Sequence, residues 1–219
     1  MIPANIYLGG GKDKIEAMDD RLDEIYSKME GRYKDGDVPW DDELPPPEVI
    51  ELVSNLPPGR ALDLGSGYGR AAIFMTKLGW QVDAIEFIPD AAATAAVRAR
   101  KAGVSPRFHI ASVLDLEFLS GGFDLALDVG CGHNLGEDGL VNYCELLRSL
   151  IRTGGFFLIF ARIRSENTEE ENGPSGIRVD HLISTFSHGF ELVWQSMGET
   201  EVEDGPPWPS GWFRFRRTS

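Results

Sequence analysis

The sequence is poor in cysteine: two residues, Cys131 and Cys144, each inside or beside an apolar segment. That count rules out a disulfide-stapled fold, and the absence of a CxxC pair argues against a thiolate metal site. Two reduced thiols in a cytosolic protein is the expectation. Long apolar runs are missing too, since no stretch nears the roughly 20 residues that cross a bilayer. The opening Met1-Ile2-Pro3-Ala4 lacks a basic start followed by an apolar core, so no signal peptide is expected and the expected location is cytoplasmic. Positive charge is scarce. Lys and Arg number 21 against 35 Asp and Glu, a formal net charge of −14. Such a surface repels phosphate backbones, and the small cluster Arg214, Arg216 and Arg217 does not reverse that balance, so nucleic acid is not an expected partner. The four histidines, His109, His133, His181 and His188, show no ligand spacing, and no metal is expected.

What is present is globular: 42% hydrophobic and 26% charged residues over 219 positions, enough for one two-layer domain. Ile15, Met18, Leu22, Ile25 and Met29 recur at helical spacing, which predicts an amphipathic helix ending near Gly31. Pro45-Pro46-Pro47 presets a second helix with Val49, Leu52, Val53 and Leu56 inward, stopped by Pro57-Pro58-Gly59. Strands then alternate with helices: strands at Ala61–Leu64, Val82–Ile85, Phe108–Val113, Leu125–Val129 and Phe156–Ala161, helices at Ala71–Leu78 and Ala91–Ala102. A further helix carries Leu140, Cys144, Leu147 and Ile151 on one face. This rhythm predicts a doubly wound α/β sheet, mostly parallel, of about seven strands. After a polar loop at Arg164–Gly176, crowded with Glu166, Glu169, Glu170 and Glu171 and expected to be mobile, comes a helix at Ile177–Phe186. Two alternating strands around Phe190–Trp194 and Phe213–Phe215 follow with no helix between them, which predicts an antiparallel edge hairpin.

The most informative run is Ala61-Leu62-Asp63-Leu64-Gly65-Ser66-Gly67-Tyr68-Gly69-Arg70, lying between a short strand and a helix. Glycines at such a turn let the backbone double back and approach a ligand without a Cβ in the way. Glu86 ends the next strand, where a carboxylate can accept both hydroxyls of a ribose. The run resembles the first motif of class I S-adenosylmethionine-dependent methyltransferases. Dinucleotide dehydrogenases space their last glycines by three and seat a pyrophosphate, whereas Gly65, Gly67 and Gly69 alternate behind the acidic Asp63. An acidic lining suits an ammonium and a sulfonium rather than a pyrophosphate.

The resemblance runs from about Tyr33 to the end and is to the small-molecule group that includes thiopurine and tellurite-resistance methyltransferases. It implies a Rossmann-like core over 45–219, preceded at 1–44 by a helix and lid segment whose Pro39-Trp40 covers the methionine end of the cofactor. It implies cofactor contacts from Trp40, Asp63, Gly65, Ser66, Gly67, Gly69, Glu86 and Phe87. Ser112 and Val113 are implied at the adenine, with Ser112 where relatives often have Asp, so Asp115 is an alternative there. Asp128, in the run Phe123 to His133, is implied at the methionine part and the transferred methyl. The expected cofactor is S-adenosylmethionine and the expected partner a small-molecule acceptor, with acceptor atom and oligomeric state unassigned. His133, beyond the fourth strand, is the candidate general base, with a packing or orienting role as its alternative. A cofactor-binding protein without turnover, and a NAD-type oxidoreductase, are the competing readings.

Overall fold

The chain is seen in a computed structural model that describes residues 6–8, 20–164, 176–201 and 206–218. Helix α1 spans Asp20–Asp35 and α2 Pro47–Asn55, followed by β2 at Arg60–Leu64, α3 at Arg70–Lys77, β3 at Gln81–Glu86 and α4 at Pro89–Lys101. Next come β4 at Arg107–Ile110, β5 at Phe123–Val129, a single 3-10 turn at Gly132–Asn134, α5 at Gly136–Leu150 and β6 at Ile151–Arg162. The C-terminal part adds α6 at Val179–Phe186, β7 at Phe190–Thr200 and β8 at Trp208–Arg217. All seven expected strands are present, as β2 to β8. An eighth, β1 at Ile6–Leu8, pairs in parallel with β4 at the sheet's edge. Three residues are too short for a periodicity signal, so β1 was not legible in the sequence.

The strand order is β1-β4-β3-β2-β5-β6-β8-β7, with only β8 antiparallel to its neighbours β6 and β7. From β2 the chain first proceeds to β3 and β4 on one side and then crosses to β5 on the other. A crevice opens where the direction of winding reverses, outside the carboxyl ends of β2 and β5. Helices cover both faces, which is why β2 and β3 are nearly continuous buried strands rather than alternating ones.

One core lies under α5 and α6, where Tyr143, Leu147, Leu182 and Phe186 pack on Phe157 and Phe215. Phe186 stacks on Phe157 and Phe215 with centroids 5.1 and 4.9 Å apart, and burying each such ring contributes about 2–3 kcal/mol. The other core lies under α2, α3 and α4, built from Val49, Leu52, Val53, Met75 and Trp80 with Leu125, Leu127 and Leu158. Alanines at 91, 92, 95, 96 and 99 are all buried, so α4 lies close against the sheet.

Several boundaries differ from the sequence expectation. Helix α1 continues through Gly31 to Asp35, and Gly36 then turns the chain at φ 73°. Ile15 and Met18 lie outside the described residues, as does the acidic loop at 165–175. Ile151, expected on the helix, begins β6 instead, because the backbone is already extended there. The third expected strand stops at Ile110, where pairing with β3 runs out at Glu86. Among the described residues no helix is long and apolar enough to cross a membrane, and no group of three or more His, Cys, Asp or Glu is arranged to hold a metal ion.

Candidate active site

The turn after β2 is made by three glycines in left-handed conformation: Gly65 at φ 67°, Gly67 at 54° and Gly69 at 81°. A side chain at any of them would be strained. Gly69 also has no room, because a Cβ there would lie 3.1 Å from both Ala95 and the Phe108 ring. The Ser66 N–H donates to the Ile85 carbonyl at 2.9 Å, which holds the turn against β3. Glu86 then locks it. Its Oε2 accepts the Gly67 N–H at 2.8 Å, and its Oε1 accepts the Ile88 N–H at 2.9 Å.

Three carboxylates are buried around this turn, Asp63, Glu86 and Asp128, at 3%, 4% and 0% exposure. Burial raises Asp63 to about 7 despite a backbone hydrogen bond at Ala72 and the nearby Arg70. Glu86 is also raised to about 7 by burial, against the lowering effect of its backbone donors. Removing water from a carboxylate disfavours its charge unless a cation replaces the lost hydration. Asp63 Oδ2 and Ser66 Oγ are buried without hydrogen-bond partners, and both belong to residues lining a cavity with Trp40, Gly67, Ala71 and Val129. Buried polar atoms are rarely left unpaired, so the carboxylate oxygen is an acceptor in want of a donor and the hydroxyl is in want of a partner.

Asp128 does not join them. It pairs with Leu64 of β2, whereas Asp63 pairs with Leu127, so successive strand positions send the two carboxylates to opposite faces. Its Oδ1 accepts the Cys131 N–H, and its Oδ2 accepts both the Gly132 N–H and the Tyr143 hydroxyl, all at 2.8 Å. The carboxylate expected to face the methyl group is thus spent on folding its own loop. Burial still raises it to about 6.

Tyr33 and Trp40 close the turn from above. Their rings meet edge to face at 6.1 Å, Trp40 Nε1 donates to the Tyr33 hydroxyl at 3.4 Å, and Tyr33 packs 5.1 Å from Tyr68. Two ion pairs fasten the segment that follows: Arg98 forks both oxygens of Asp41 at 2.5 and 2.8 Å, and Arg70 meets Asp42 at 2.8 Å. Sequence reasoning singled out Trp40 and missed Tyr33, Tyr68, Asp41 and Asp42, because only the tertiary fold brings them to the turn. Phe87 sits edge to face with Tyr26 of α1 at 5.4 Å. Ser112 takes up a local turn, its Oγ accepting the Leu114 N–H at 3.2 Å and its carbonyl the Asp115 N–H at 3.0 Å. Val113 is buried in the core beneath α5.

His133 lies beyond β5, on the 3-10 turn, as expected. Burial and the nearby Arg162 and Lys28 lower it to about 4, so it is neutral at pH 7. Its Nδ1 lies 3.4 Å from the Arg162 backbone N–H and accepts from it. That bond assigns the remaining ring proton to Nε2, which makes that nitrogen a donor. A general base needs a free lone pair there, so the geometry opposes that role. Burial also drives the Cys131 thiol well above its ordinary range, which leaves it protonated and poorly nucleophilic.

Comparison with known proteins agrees with this geometry. Residues 61–155 match the model of a family described as a methyltransferase domain. Curated protein sequences gave no match. Among solved structures, one from a study of disulfide-to-thioacetal conversion in echinomycin biosynthesis is 24% identical, with a TM-score of 0.69 over 82% of this chain and 84% of that one. The 1,6-didemethyltoxoflavin-N1-methyltransferase of Burkholderia thailandensis, solved with S-adenosylhomocysteine, is 22% identical, with a TM-score of 0.67 over 96% and 92%. TehB of Haemophilus influenzae is 14% identical, with a TM-score of 0.67 over 78% of this chain and 62% of that one. The matched segment runs from β2 into β6 and holds the glycine turn, Glu86 and the β5 loop. The family match thus falls on the segment that carries the glycine turn, and the solved structures share the α/β fold around it.

Proposed function

We propose that the protein transfers the methyl group of S-adenosylmethionine to a small-molecule acceptor, in line with the small acceptor named for the Burkholderia relative. The observation carrying the reading is the Asp63 cavity. A buried carboxylate with one oxygen unpartnered adjoins a glycine turn tied to Glu86, a setting that answers the ammonium of the cofactor and opposes a phosphate. The same sign argument disfavours a NAD-type ligand, whose pyrophosphate would have to sit among these carboxylates.

When bound, S-adenosylmethionine supplies a methyl on a sulfonium that needs no further activation. In this reading Asp63 and Ser66 receive the amino-acid end and Gly65, Gly67 and Gly69 give the backbone room. Glu86 accepts the ribose hydroxyls on lone pairs left over from its two backbone donors. Phe87, Ser112 and Val113 flank the adenine. Trp40 and Tyr33 cover the methionine end, so that residues 1–44 act as a lid on the core at 45–219. Asp128 serves by holding the β5 loop in shape. What the chain contributes to the rate is alignment and exclusion of water, and the acceptor arrives with its own nucleophilic lone pair. A cytoplasmic setting goes with the two free thiols, Cys131 and Cys144.

Calorimetric titration with S-adenosylhomocysteine tests the cofactor half, and a dissociation constant beyond hundreds of micromolar would refute it. Transfer of labelled methyl to a metabolite panel tests the rest. Binding without transfer to any metabolite would assign the chain to non-catalytic cofactor binding.

A further inference from the structure

The carboxyl end of β6 carries a set of side chains that the cofactor reading leaves unused. Phe160 pairs with Val129 of β5 and with Trp212 of β8, so these three point to the same face of the sheet. Val129 lines the Asp63 cavity, and the face therefore continues from that cavity along an aromatic wall. The Phe160 ring lies 4.9 Å from Trp212 and 6.1 Å from Trp208. Arg162, two residues beyond Phe160 on the same face, holds its guanidinium 5.1 Å from the centre of the Trp208 ring.

Arg162 sets the charge of this wall. Acidic residues outnumber basic ones 35 to 21, and Arg70, Arg98, Arg107, Arg152, Arg164 and Arg216 all have carboxylate partners. The Arg162 guanidinium has none among the described residues, although partial burial already works against its charge. Beside it the ring of His133 presents an N–H rather than a lone pair. A guanidinium with no carboxylate partner among the described residues, a hydrogen-bond donor and tilted aromatic rings lie together on the face that continues from the cavity through Val129. A ligand that is flat, electron-rich and negatively charged would complement all three.

We propose that this wall is the acceptor subsite, and that the acceptor is a planar aromatic or heteroaromatic anion. Its ring lies against Trp208 and Phe160, and its charge meets Arg162. The inference rests on the methyltransferase reading, because it takes the Asp63 cavity as the place of the cofactor. A chain with a net charge of −14 repels anions at long range, so a partly buried arginine with no carboxylate partner among the described residues is what selects for one. A saturated acceptor would forgo the ring contacts, and a cationic one would be repelled by Arg162.

The test uses the full chain saturated with S-adenosylhomocysteine and three probes: quinoline-2-carboxylate, uncharged quinoline, and cyclohexanecarboxylate. The expected result is tightest binding of the aromatic anion, by about tenfold over either of the others. Arg162→Met should abolish its advantage over quinoline, and Trp208→Leu its advantage over cyclohexanecarboxylate. Arg162→Lys, which keeps the charge and loses the flat fork, should fall between wild type and Arg162→Met. S-adenosylhomocysteine titration of each variant reports that the site is folded. Equal binding of the three probes, absence of binding by all of them, or an unchanged preference in the Arg162 variants would overturn the proposal. Failure of the wild type to bind S-adenosylhomocysteine would instead overturn the function on which it rests.

Discussion

Replacing Glu86 by glutamine keeps the shape of the side chain and removes its charge, which separates two roles the structure superimposes. The carboxylate accepts one N–H on each oxygen, from Gly67 and Ile88. A glutamine can accept only one of them and turns an NH2 toward the other, leaving a buried N–H unpaired at a cost of about 1–3 kcal/mol. Against this stands the cost of burying the charge. The group is raised from 4.5 to about 7, so above pH 7 its ionised form weakens the ligand-free fold by about 3 kcal/mol, a cost absent below about pH 4.5. The sign follows directly: the folded state holds the proton more tightly, and stability falls as pH rises from 4.5 to 7. Glu86→Gln removes that slope. Urea denaturation should show the variant less stable than wild type at pH 5 and within about 2 kcal/mol of it, or above it, at pH 8. Calorimetry at pH 8 should show S-adenosylhomocysteine binding weakened by about 10- to 100-fold, the loss of about 1.5–3 kcal/mol expected of charged hydrogen bonds. An unchanged affinity would remove Glu86 from the cofactor site. An affinity loss that merely tracked lost stability at both pH values would reduce it to a scaffold residue.

Two further outcomes are expected. The apparent affinity for S-adenosylmethionine should rise as pH climbs toward 7 and level off above it, because Asp63, which feels the charges of Arg70, Asp128 and Glu86, must ionise to answer the cation. Binding should release protons, measurable by calorimetry in buffers of different ionisation enthalpy, and Asp63→Asn should reduce the release; proton uptake would contradict the assignment. Asp128→Asn leaves at least one of the Cys131 and Gly132 N–H groups without its acceptor and should cost about 1–3 kcal/mol in urea denaturation. Its affinity for S-adenosylhomocysteine should stay within a few-fold of wild type, and a large loss of affinity with unaltered stability would return Asp128 to the cofactor.

Much of this protein was legible in the chain because the signals are local. Alternating apolar strands and helices foretold the parallel sheet, and the lone pair of strands without an intervening helix foretold the antiparallel edge of β7 and β8. The Asp63 to Gly69 turn and Glu86 could be named together because a strand–turn–helix–strand unit fixes how far apart its ends fall. Other features depend on which way a strand faces or on what lies across space. Asp63 and Asp128 are both acidic residues in the carboxyl-terminal halves of buried strands, and only the register between β2 and β5 sends one toward the cavity and the other toward Tyr143. His133 read as a base until the fold laid the Arg162 backbone N–H against its Nδ1. The aromatic wall of Phe160, Trp208 and Trp212 joins residues about 50 positions apart through strand pairing, and the Arg98–Asp41 clamp spans 57. Local sequence determined the elements and the turn that the cofactor needs. Long-range packing alone decided which polar atoms are left unpartnered, and therefore where this chain is able to bind.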